Sequence, residues 1–285
     1  MLLSDKWTQY KVLGCGDGEK VEYWNGYVLR RPDPQALWPM TGLHGESRVD
    51  AHYHRSKSGG GEWEIKTNIP KSWVMDYEGL RFKIEPTGFK HTGLFPEQAV
   101  NWDWMSAKIQ NAGRPINVLN LFAYTGGATC ACLKAGAAVC HVDASKGMVN
   151  WARENVSLSG LEDKPVRYIV EDCMKFVQRE IRRGKTYDAV IMDPPSYGRG
   201  PGGEVWKLEE ELYGLVEILS HVLSPNPLFF LLNSYTTGLS PSVTGNMLTL
   251  ALASFKGRVV SGEVGLPVEG TSVVLPCGTY ARWED

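Results

Sequence analysis

Three acidic residues each stand at the end of a run of apolar residues. Asp143 ends "VCHVD", Asp172 follows "YIVE", and Asp193 ends "VIMD". A carboxylate at a strand end can accept hydrogen bonds from ligand hydroxyl or amino groups. Asp143 lies about as far past a glycine pair as the acid that grips a ribose hydroxyl in nucleotide-binding folds. Asp172 is placed to accept from an adenine amino group. For Asp143 and Asp172 the alternative interpretation is a helix N-cap.

The glycine pair is Gly126-Gly127, in "NLFAYTGGAT". It lies between an apolar run and a stretch that predicts a helix. Adjacent glycines allow a sharp turn and a close approach of a ligand to the backbone. The same pair is also compatible with a turn that has only a structural role.

The third acid opens the unusual stretch "DPPSYGRGPGG", residues 193–203. Two prolines with fixed φ stiffen its beginning. A turn that only ends a strand needs neither the acid nor the aromatic residue, so we interpret "DPPSY" as a functional loop. The glycine-rich tail with Arg199 predicts a mobile lid over a substrate, with an ordinary surface loop as the alternative.

The elements that must position these residues alternate between strands and helices after residue 99. For the helix predicted at 146–159, Ser145 is a candidate N-cap and Gly160 a candidate C-terminal residue. The pattern predicts strand 117–123, helix 127–135, strand 138–143, helix 146–159, strand 166–171, helix 173–183, strand 187–193, helix 206–223, strand 227–233, helix 241–255, and strands 258–266 and 272–282.

Such alternation predicts an α/β fold: a Rossmann-like, seven-stranded, mainly parallel sheet that ends in an antiparallel C-terminal hairpin. Ligands of this fold bind beyond the carboxyl ends of the strands, near the point where strand order reverses. The three acids and the glycine turn all follow predicted strands. We therefore expect them at one edge of the sheet.

The N-terminal region has a different pattern. Asp17-Gly18 and Asn25-Gly26 lie between strand-like stretches, which is a strong hairpin signal, and Glu78-Gly79 repeats it. We therefore predict a small β-rich domain over residues 1–85, with a possible role in substrate or RNA contact, followed by the α/β domain over residues 86–285.

Composition excludes some classes of protein. The 285 residues are 43% hydrophobic and 22% charged, with a formal charge of −2, so any nucleic-acid partner needs a local basic patch. Polar residues interrupt the apolar start of the chain, and no later apolar run is long enough for a bilayer. Six cysteines have no metal-ligand spacing. We expect a cytoplasmic protein with reduced thiols.

The ordered motifs "NLFAYTGGAT", "VDAS", "VEDC" and "DPPSYGRG" resemble those of class I S-adenosylmethionine-dependent methyltransferases. More narrowly, together with "GFKHTGLFPEQAVNWDWM" at 88–105, they resemble the bacterial 23S rRNA large-subunit methyltransferases of the I/K type. The resemblance spans residues 80 to 285. It implies S-adenosyl-L-methionine as cofactor and RNA, ribosomal RNA in particular, as partner.

The resemblance also implies roles for individual residues. The acceptor side would be formed by Asp193, Pro194 and Pro195, with Tyr197 stacking on a planar ring extruded from the nucleic acid. The implied cofactor-binding set is Phe122, Tyr124, Thr125, Gly126, Gly127, Asp143, Ala144, Asp172, Cys173 and Asp193, with Phe95 and Gln98 as a cover.

The chain departs from the family at one informative position. Members that methylate carbon 5 of cytosine need a cysteine after the fifth strand, and this chain has Asn233, Ser234 and Tyr235 there. Cys277 is a possible substitute, with a buried core residue as the favoured alternative. The "DPPSY" run instead resembles that of enzymes that methylate exocyclic amino groups of purines, and this resemblance implies an amino-group acceptor rather than cytosine C5.

Other functions remain open from the sequence. The enzyme can act on a small molecule or a protein side chain, or the chain can be a non-catalytic cofactor- or RNA-binding module. The basic and aromatic residues of "YVLRRP" and "RVDAHYHRSK" suit RNA or a solvated surface equally. His52 and His54 point to one side of a strand, but the sequence supplies no third ligand, so we expect no metal site.

Overall fold

The computed structural model describes residues 1–43, 48–56, 60–200, 202–236 and 238–285. The chain forms two compact units. Unit 1 consists of Met1–Val100 and Val264–Cys277, and unit 2 of Asn101–Glu263 and Gly278–Asp285. The chain therefore passes from one unit to the other three times. The predicted division at residue 85, with a substrate-contact role for the first part, stays a prediction.

Unit 1 is built from short strands and one 3₁₀ helix at Pro96–Gln98. Its main sheet has the order β5-β2-β3-β4-β6-β7, and β8 and β9 form a separate hairpin. Its strands are β1 (Leu2–Leu3), β2 (Tyr10–Gly16), β3 (Glu19–Trp24), β4 (Tyr27–Pro32), β5 (Thr41–Gly42), β6 (Ala51–Arg55), β7 (Gly61–Ile65), β8 (Trp73–Tyr77) and β9 (Leu80–Ile84).

The three turns predicted from sequence join strands β2 to β3, β3 to β4 and β8 to β9. Asp17, Asn25 and Glu78 have left-handed φ values of 52°, 45° and 50°, and each is followed by a glycine with positive φ. This is the geometry of two-residue hairpin turns whose twist matches that of the strands. The β-rich character of the N-terminal region is confirmed.

A buried ion pair holds the centre of this sheet. Both carboxylate oxygens of Glu22 accept hydrogen bonds from the Arg31 guanidinium, at 2.7 and 2.8 Å, and the Tyr10 hydroxyl donates to the same carboxylate at 2.7 Å. Although burial raises the pKa of Glu22, the neighbouring Arg31 and Lys20 charges outweigh it and lower this pKa to about 2. The pair is ionised whenever the unit is folded at neutral pH.

Unit 2 contains the predicted alternation of strands and helices. Two long strands, β17 and β18, have one part in each unit. The elements are α1 (Ala99–Asn111), β10 (Asn117–Leu121), α2 (Gly127–Lys134), β11 (Ala138–Asp143), α3 (Lys146–Leu158), β12 (Val166–Val170), α4 (Cys173–Arg182), β13 (Ala189–Met192), β14 (Tyr197–Arg199), β15 (Val205–Lys207), α5 (Leu208–Leu219), β16 (Phe229–Ser234), α6 (Pro241–Ala251), β17 (Arg258–Pro267) and β18 (Val274–Glu284).

The sheet of unit 2 has the order β17-β18-β16-β13-β10-β11-β12. Strands β16, β13, β10, β11 and β12 are parallel, and β18 is antiparallel to β16. These are the seven strands predicted from sequence, with the expected antiparallel end; the two-residue strand β1 pairs with the part of β17 in unit 1 as an eighth. The Rossmann-like fold class is confirmed.

Local signals fixed the helices that flank the site. The Ser145 hydroxyl accepts from the Met148 N–H at 3.4 Å, and Gly160 closes α3 with a φ of 67°. All four residues of β13 are buried, as expected for a central parallel strand. Within the described part of the chain, every helix is too short or too polar to cross a membrane.

One predicted element is wrong in its boundary. The helix expected at 206–223 begins at Leu208, and the residues before it form a hairpin in which Gly198 pairs with Trp206. Trp206 and Val205 favour strands, and the Trp206 indole is held by a tertiary hydrogen bond described below. The described residues of the glycine-rich stretch therefore include a hairpin, and the lid role expected from sequence stays a prediction.

Candidate active site at the carboxyl ends of the parallel strands

Strand register brings the three sequence motifs to one edge of the sheet. Leu121, the last residue of β10, pairs with Val142 on one side and with Met192 on the other. Phe122, Asp143 and Asp193 are the next residues on these three adjacent strands. Because strand order reverses between β10 and β13, this edge is the topological switch point at which such sheets bind ligands.

The turn after β10 has a strained backbone. Phe122, Tyr124 and Gly126 have left-handed φ values of 52°, 50° and 84°. For the two aromatic residues this conformation costs about 1–2 kcal/mol each. The turn persists because the Ala123 N–H donates to the Val142 carbonyl and the buried Asn155 amide donates to the Thr125 carbonyl at 2.8 Å.

The two glycines of this turn are required by packing within unit 2. A Cβ on Gly126 would lie 2.9 Å from the Cβ of Ala152 in α3. A Cβ on Gly127 would lie 2.6 Å from the Trp102 ring in α1. Their absent side chains thus allow helices α3 and α1 to approach the turn, a reason that the sequence alone did not reveal.

Asp143 is fixed by two backbone donors. The Tyr124 N–H donates to Oδ2 at 2.9 Å, and the Ser145 N–H donates to Oδ1 at 2.8 Å, with Ala144 between. Burial raises the pKa of Asp143, and these two hydrogen bonds oppose the shift. The carboxylate is therefore locked to the glycine turn, and each oxygen keeps a further lone pair for a ligand.

Asp172 is the N-cap of α4. Its Oδ1 accepts from the Lys175 N–H at 3.0 Å, so the capping role considered for this residue is present in the structure. The adjacent Cys173 thiol is buried against the Phe122 N–H, and burial raises its pKa. The start of α4 is thereby attached to the end of β10.

The loop after Asp193 is attached to the same turn through Trp206. The Trp206 indole N–H donates to the Pro195 carbonyl at 2.7 Å, and its ring centroid lies 5.0 Å from that of Phe122. Ser196 is bound on both sides: its carbonyl accepts from the Leu208 N–H and its hydroxyl lies 2.6 Å from that of Thr236. Pro194 is buried, whereas Tyr197 is 52% exposed to solvent.

The end of β16 carries a buried polar network rather than a thiol. The Asn101 amide donates to Asn233 Oδ1 at 3.1 Å, and Arg282 donates to Asn101 Oδ1. Ser234 is buried beside Asn233. Burial lowers the pKa of Arg282 to about 10, so the guanidinium stays charged at neutral pH.

The two cover residues belong to unit 1. Phe95 precedes the 3₁₀ helix, where its carbonyl accepts from the Gln98 N–H at 3.0 Å, and its ring lies 5.3 Å from that of His91. Gln98 is buried. Their role toward the cofactor stays a prediction.

Sequence reasoning missed three supports of the site. Trp206 was predicted to lie in a helix. Asn155 lies on a helix face that is otherwise apolar, and a polar residue in such a position is a usable signal for a buried functional amide. Beneath the turn, the Thr129 hydroxyl accepts from Asn120 at 3.0 Å and lies 2.9 Å from His141 Nδ1. Burial lowers the pKa of His141 to about 3, so it is neutral in this network.

A doubly wound sheet with a glycine turn, a strand-end acid and an Asp-Pro-Pro-Ser-Tyr loop at its switch point defines a Rossmann-like methyltransferase class. Residues 35–229 match the family model described as S-adenosylmethionine-dependent methyltransferase. The chain belongs to this family, and its cofactor is S-adenosylmethionine.

Known relatives agree with this assignment. The SAM-dependent methyltransferase from Agrobacterium tumefaciens is 38% identical, with a TM-score of 0.94 over 99% of this chain and 92% of that one. SMU.776, crystallised with S-adenosylhomocysteine, shares the fold at 18% identity and a TM-score of 0.76, covering 98% and 76% of the two chains. Ribosomal RNA large subunit methyltransferase K/L of Shewanella frigidimarina is 28% identical over 193 residues, 67% of this chain and 26% of that protein. This chain thus spans about a quarter of the length of that curated relative.

Proposed function

We propose that the protein transfers a methyl group from S-adenosylmethionine to a base of ribosomal RNA, with an exocyclic amino group as the acceptor. The observation that carries the proposal is the register at the switch point. It sets Asp143 and Asp193 on the strands that flank β10, one on each side of the strained turn. A methyl donor bound at Asp143 and a methyl acceptor bound at Asp193 would meet above the end of β10.

The residues at this edge fit the cofactor in chemistry and charge. S-adenosylmethionine carries ribose hydroxyls, an adenine amino group and a positive sulfonium, all of which favour acceptor oxygens. We assign the ribose hydroxyls to Asp143 and the adenine to Asp172 with the Cys173 backbone. The turn from Phe122 to Gly127 would contact the remaining part of the cofactor. Ser145 and Tyr124 donors keep the Asp143 carboxylate aimed before the cofactor arrives.

The bound cofactor supplies a methyl group on an activated carbon, so the chain mainly has to align the acceptor. We assign the Asp193 carboxylate and the Pro194 carbonyl as the acceptors of the target amino hydrogens. The proline pair restricts the backbone at this point. The exposed Tyr197 ring would stack on the base. Trp206 positions this loop through the Pro195 carbonyl.

The choice of an amino group over cytosine C5 is supported by the positions of the cysteines. C5 chemistry needs a reactive thiolate. The end of β16 offers Asn233 and Ser234 instead, and burial raises the pKa of the Cys277 thiol well above its ordinary value. A thiol that resists ionisation is a poor nucleophile.

The choice of RNA is supported by the names of the curated relatives and by the small β-rich unit. That unit exposes Arg48, Lys71 and the aromatic Phe89, which suit phosphate and base contacts. Ribosomal RNA as partner also implies work in the cytoplasm, in agreement with cysteines that form no disulfide. A small-molecule or protein substrate is the alternative that the near-neutral charge favours.

The test gives tritium-labelled S-adenosylmethionine to the protein with undermethylated ribosomal subunits, total RNA and a metabolite extract in separate reactions. We expect label in RNA, and nuclease digestion should release an amino-methylated nucleoside. Label only in metabolites or protein would refute the RNA assignment. Cofactor binding without transfer to any of them would favour a binding module.

The role of Asp193 is tested by Asp193→Asn. We expect transfer to fall at least about 100-fold, while cofactor affinity stays within about tenfold, roughly 1.4 kcal/mol. Asp163→Asn, an exposed residue in the turn after α3, is the matched control and should leave both unchanged. Turnover of the Asp193 variant equal to that of the control would contradict the assigned role.

A further inference from the structure

Two histidines of strand β6 lie side by side on one face of the sheet in unit 1. His52 and His54 are two residues apart, so their side chains share a face, and their ring centroids are 4.0 Å apart. Strand β7 pairs with β6 so that Glu64 stands directly opposite His52. One ligand atom from each of the three side chains lies within 4.8 Å of the others.

We propose that His52, His54 and Glu64 bind a divalent first-row transition-metal ion, with Zn²⁺ as the reference species. Two imidazoles and one carboxylate form a donor set that zinc uses in proteins, with a further position open to water or another ligand. Imidazole nitrogen also suits nickel, copper and iron. The third ligand comes from the partner strand, which is why residue spacing within β6 could not reveal it.

The distances are compatible with coordination after small side-chain rotations. Donor atoms bound tetrahedrally at about 2.0–2.1 Å from zinc lie roughly 3.3 Å from one another. His54 Nε2 and the Glu64 carboxylate are 2.9 Å apart. The remaining pairs lie within 4.8 Å, so they need to close by about 1.5 Å at most.

A second carboxylate adjoins the group. Glu19 of β3 lies 2.8 Å from His52 Nε2 and also pairs with Arg30. A carboxylate binds a metal ion in its ionised form, so the side chains of Glu19 and Glu64 are both of a type that can serve as a ligand. Glu19 is the candidate for a fourth ligand or for a hydrogen-bond acceptor beside the ion.

The three proposed ligands differ in their exposure to solvent. The His52 side chain is 15% exposed, while those of His54 and Glu64 are about half exposed. An ion can thus reach the group from solvent, and the buried histidine fixes its position in the sheet. A bound ion would link strands β6 and β7, and it would stabilise unit 1 because the unfolded chain has no preformed site.

The competing explanation is a pair of cross-strand hydrogen bonds, His52 with Glu19 and His54 with Glu64, that never binds metal. The test uses the full chain without an affinity tag, stripped with a chelator and titrated with Zn²⁺ by calorimetry. We expect saturation at one ion per chain and a rise in melting temperature. Absence of saturable binding would overturn the proposal.

Variants identify the ligands. His54→Ala and Glu64→Gln are expected to weaken Zn²⁺ binding by about tenfold or more each. Glu62→Gln is the matched control, because Glu62 lies on the same strand and face but outside the ligand group; it should bind Zn²⁺ within about twofold of the parent. Equal losses in the Glu62 and Glu64 variants, or unchanged binding in the His54 variant, would contradict the assignment.

Folding of each variant is checked by circular dichroism. If a substitution unfolds the unit, Co²⁺ added to the unaltered protein provides an independent measurement, because its visible spectrum reports coordination by imidazole and its geometry. A spectrum equal to that of hexaaqua Co²⁺ would overturn the site, whereas a tetrahedral or five-coordinate spectrum that Zn²⁺ displaces would support it.

Discussion

Replacing Asp143 by asparagine keeps the size of the side chain but changes one acceptor oxygen into an amide donor. Both carboxylate oxygens of Asp143 now accept backbone N–H groups, from Tyr124 and from Ser145. The amide of asparagine can satisfy only one of them, and its NH₂ would point at the other donor. The variant therefore weakens both the anchor of the strained turn and the contact assigned to the ribose.

The magnitude follows from the bonds that are lost. A hydrogen bond to a charged group contributes about 1.5–3 kcal/mol. Losing the ribose contact should weaken S-adenosylhomocysteine binding by roughly 10- to 100-fold, or about 1.4–2.8 kcal/mol. The free energy of unfolding should fall by only about 1 kcal/mol, because burial already raises the pKa of Asp143 and removing the charge relieves that cost.

Calorimetric titration with S-adenosylhomocysteine measures the affinity, and urea denaturation of the unliganded protein measures the stability. Asp163→Asn, exposed in the turn after α3, controls for the loss of one negative charge. An Asp143→Asn affinity within twofold of this control would refute the assignment of the ribose contact. A stability loss of several kcal/mol without an affinity change would show that Asp143 serves the fold alone.

Three further substitutions, one of them with a contrasting glycine variant, test the supports of the site and of unit 1. Trp206→Phe removes the indole N–H that donates to the Pro195 carbonyl, a hydrogen bond worth about 1 kcal/mol. Methyl transfer should therefore fall about fivefold at unchanged cofactor affinity. Unchanged methyl transfer would contradict the positioning role of Trp206. Gly127→Ala should lower the free energy of unfolding in urea by about 1–3 kcal/mol through overpacking. By contrast, a Cβ on Gly147 of α3 would make only an ordinary contact, 3.7 Å from Ser145 Oγ, so Gly147→Ala should raise the free energy of unfolding by about 0.5–1 kcal/mol. The folded pKa of Glu22, about 2, lies below its unfolded value of about 4.3. Its ion pair therefore stabilises the fold above about pH 4.3, and this stabilisation is lost as the pH falls toward about 2. Glu22→Gln should lower the free energy of unfolding by about 3–5 kcal/mol at neutral pH and make it less dependent on acid in urea denaturation, and a pH dependence parallel to that of the parent would refute this account.

Much of the site could be predicted because its positions are encoded locally. Asp143 and Asp193 end apolar runs, and parallel strands bring such ends to one edge whatever the order of the strands. Ser145 and Gly160 mark the ends of one helix by capping chemistry. The hairpin turns at Asp17-Gly18 and Asn25-Gly26 need left-handed residues, which these types tolerate.

The remainder depended on contacts between distant parts of the chain. Gly127 was interpreted through a ligand, and its packing against Trp102 became visible only once α1 was placed. Trp206 lies just before the helical pattern of α5, and its hydrogen bond to the Pro195 carbonyl joins residues that the pattern does not connect. Glu64 becomes a partner of His52 only through strand pairing. Such pairings leave no local periodic signal.

The chain crosses from one unit to the other three times, and this limits how the protein can be divided into fragments. Strands β17 and β18 each change unit partway along their length, at residues 263–264 and 277–278. A fragment ending at residue 100 lacks the 264–277 segment of its own unit, and a fragment beginning at 101 carries that segment without its partners. Neither fragment corresponds to one unit alone, so the contributions of the two units are better separated by point substitutions than by truncation.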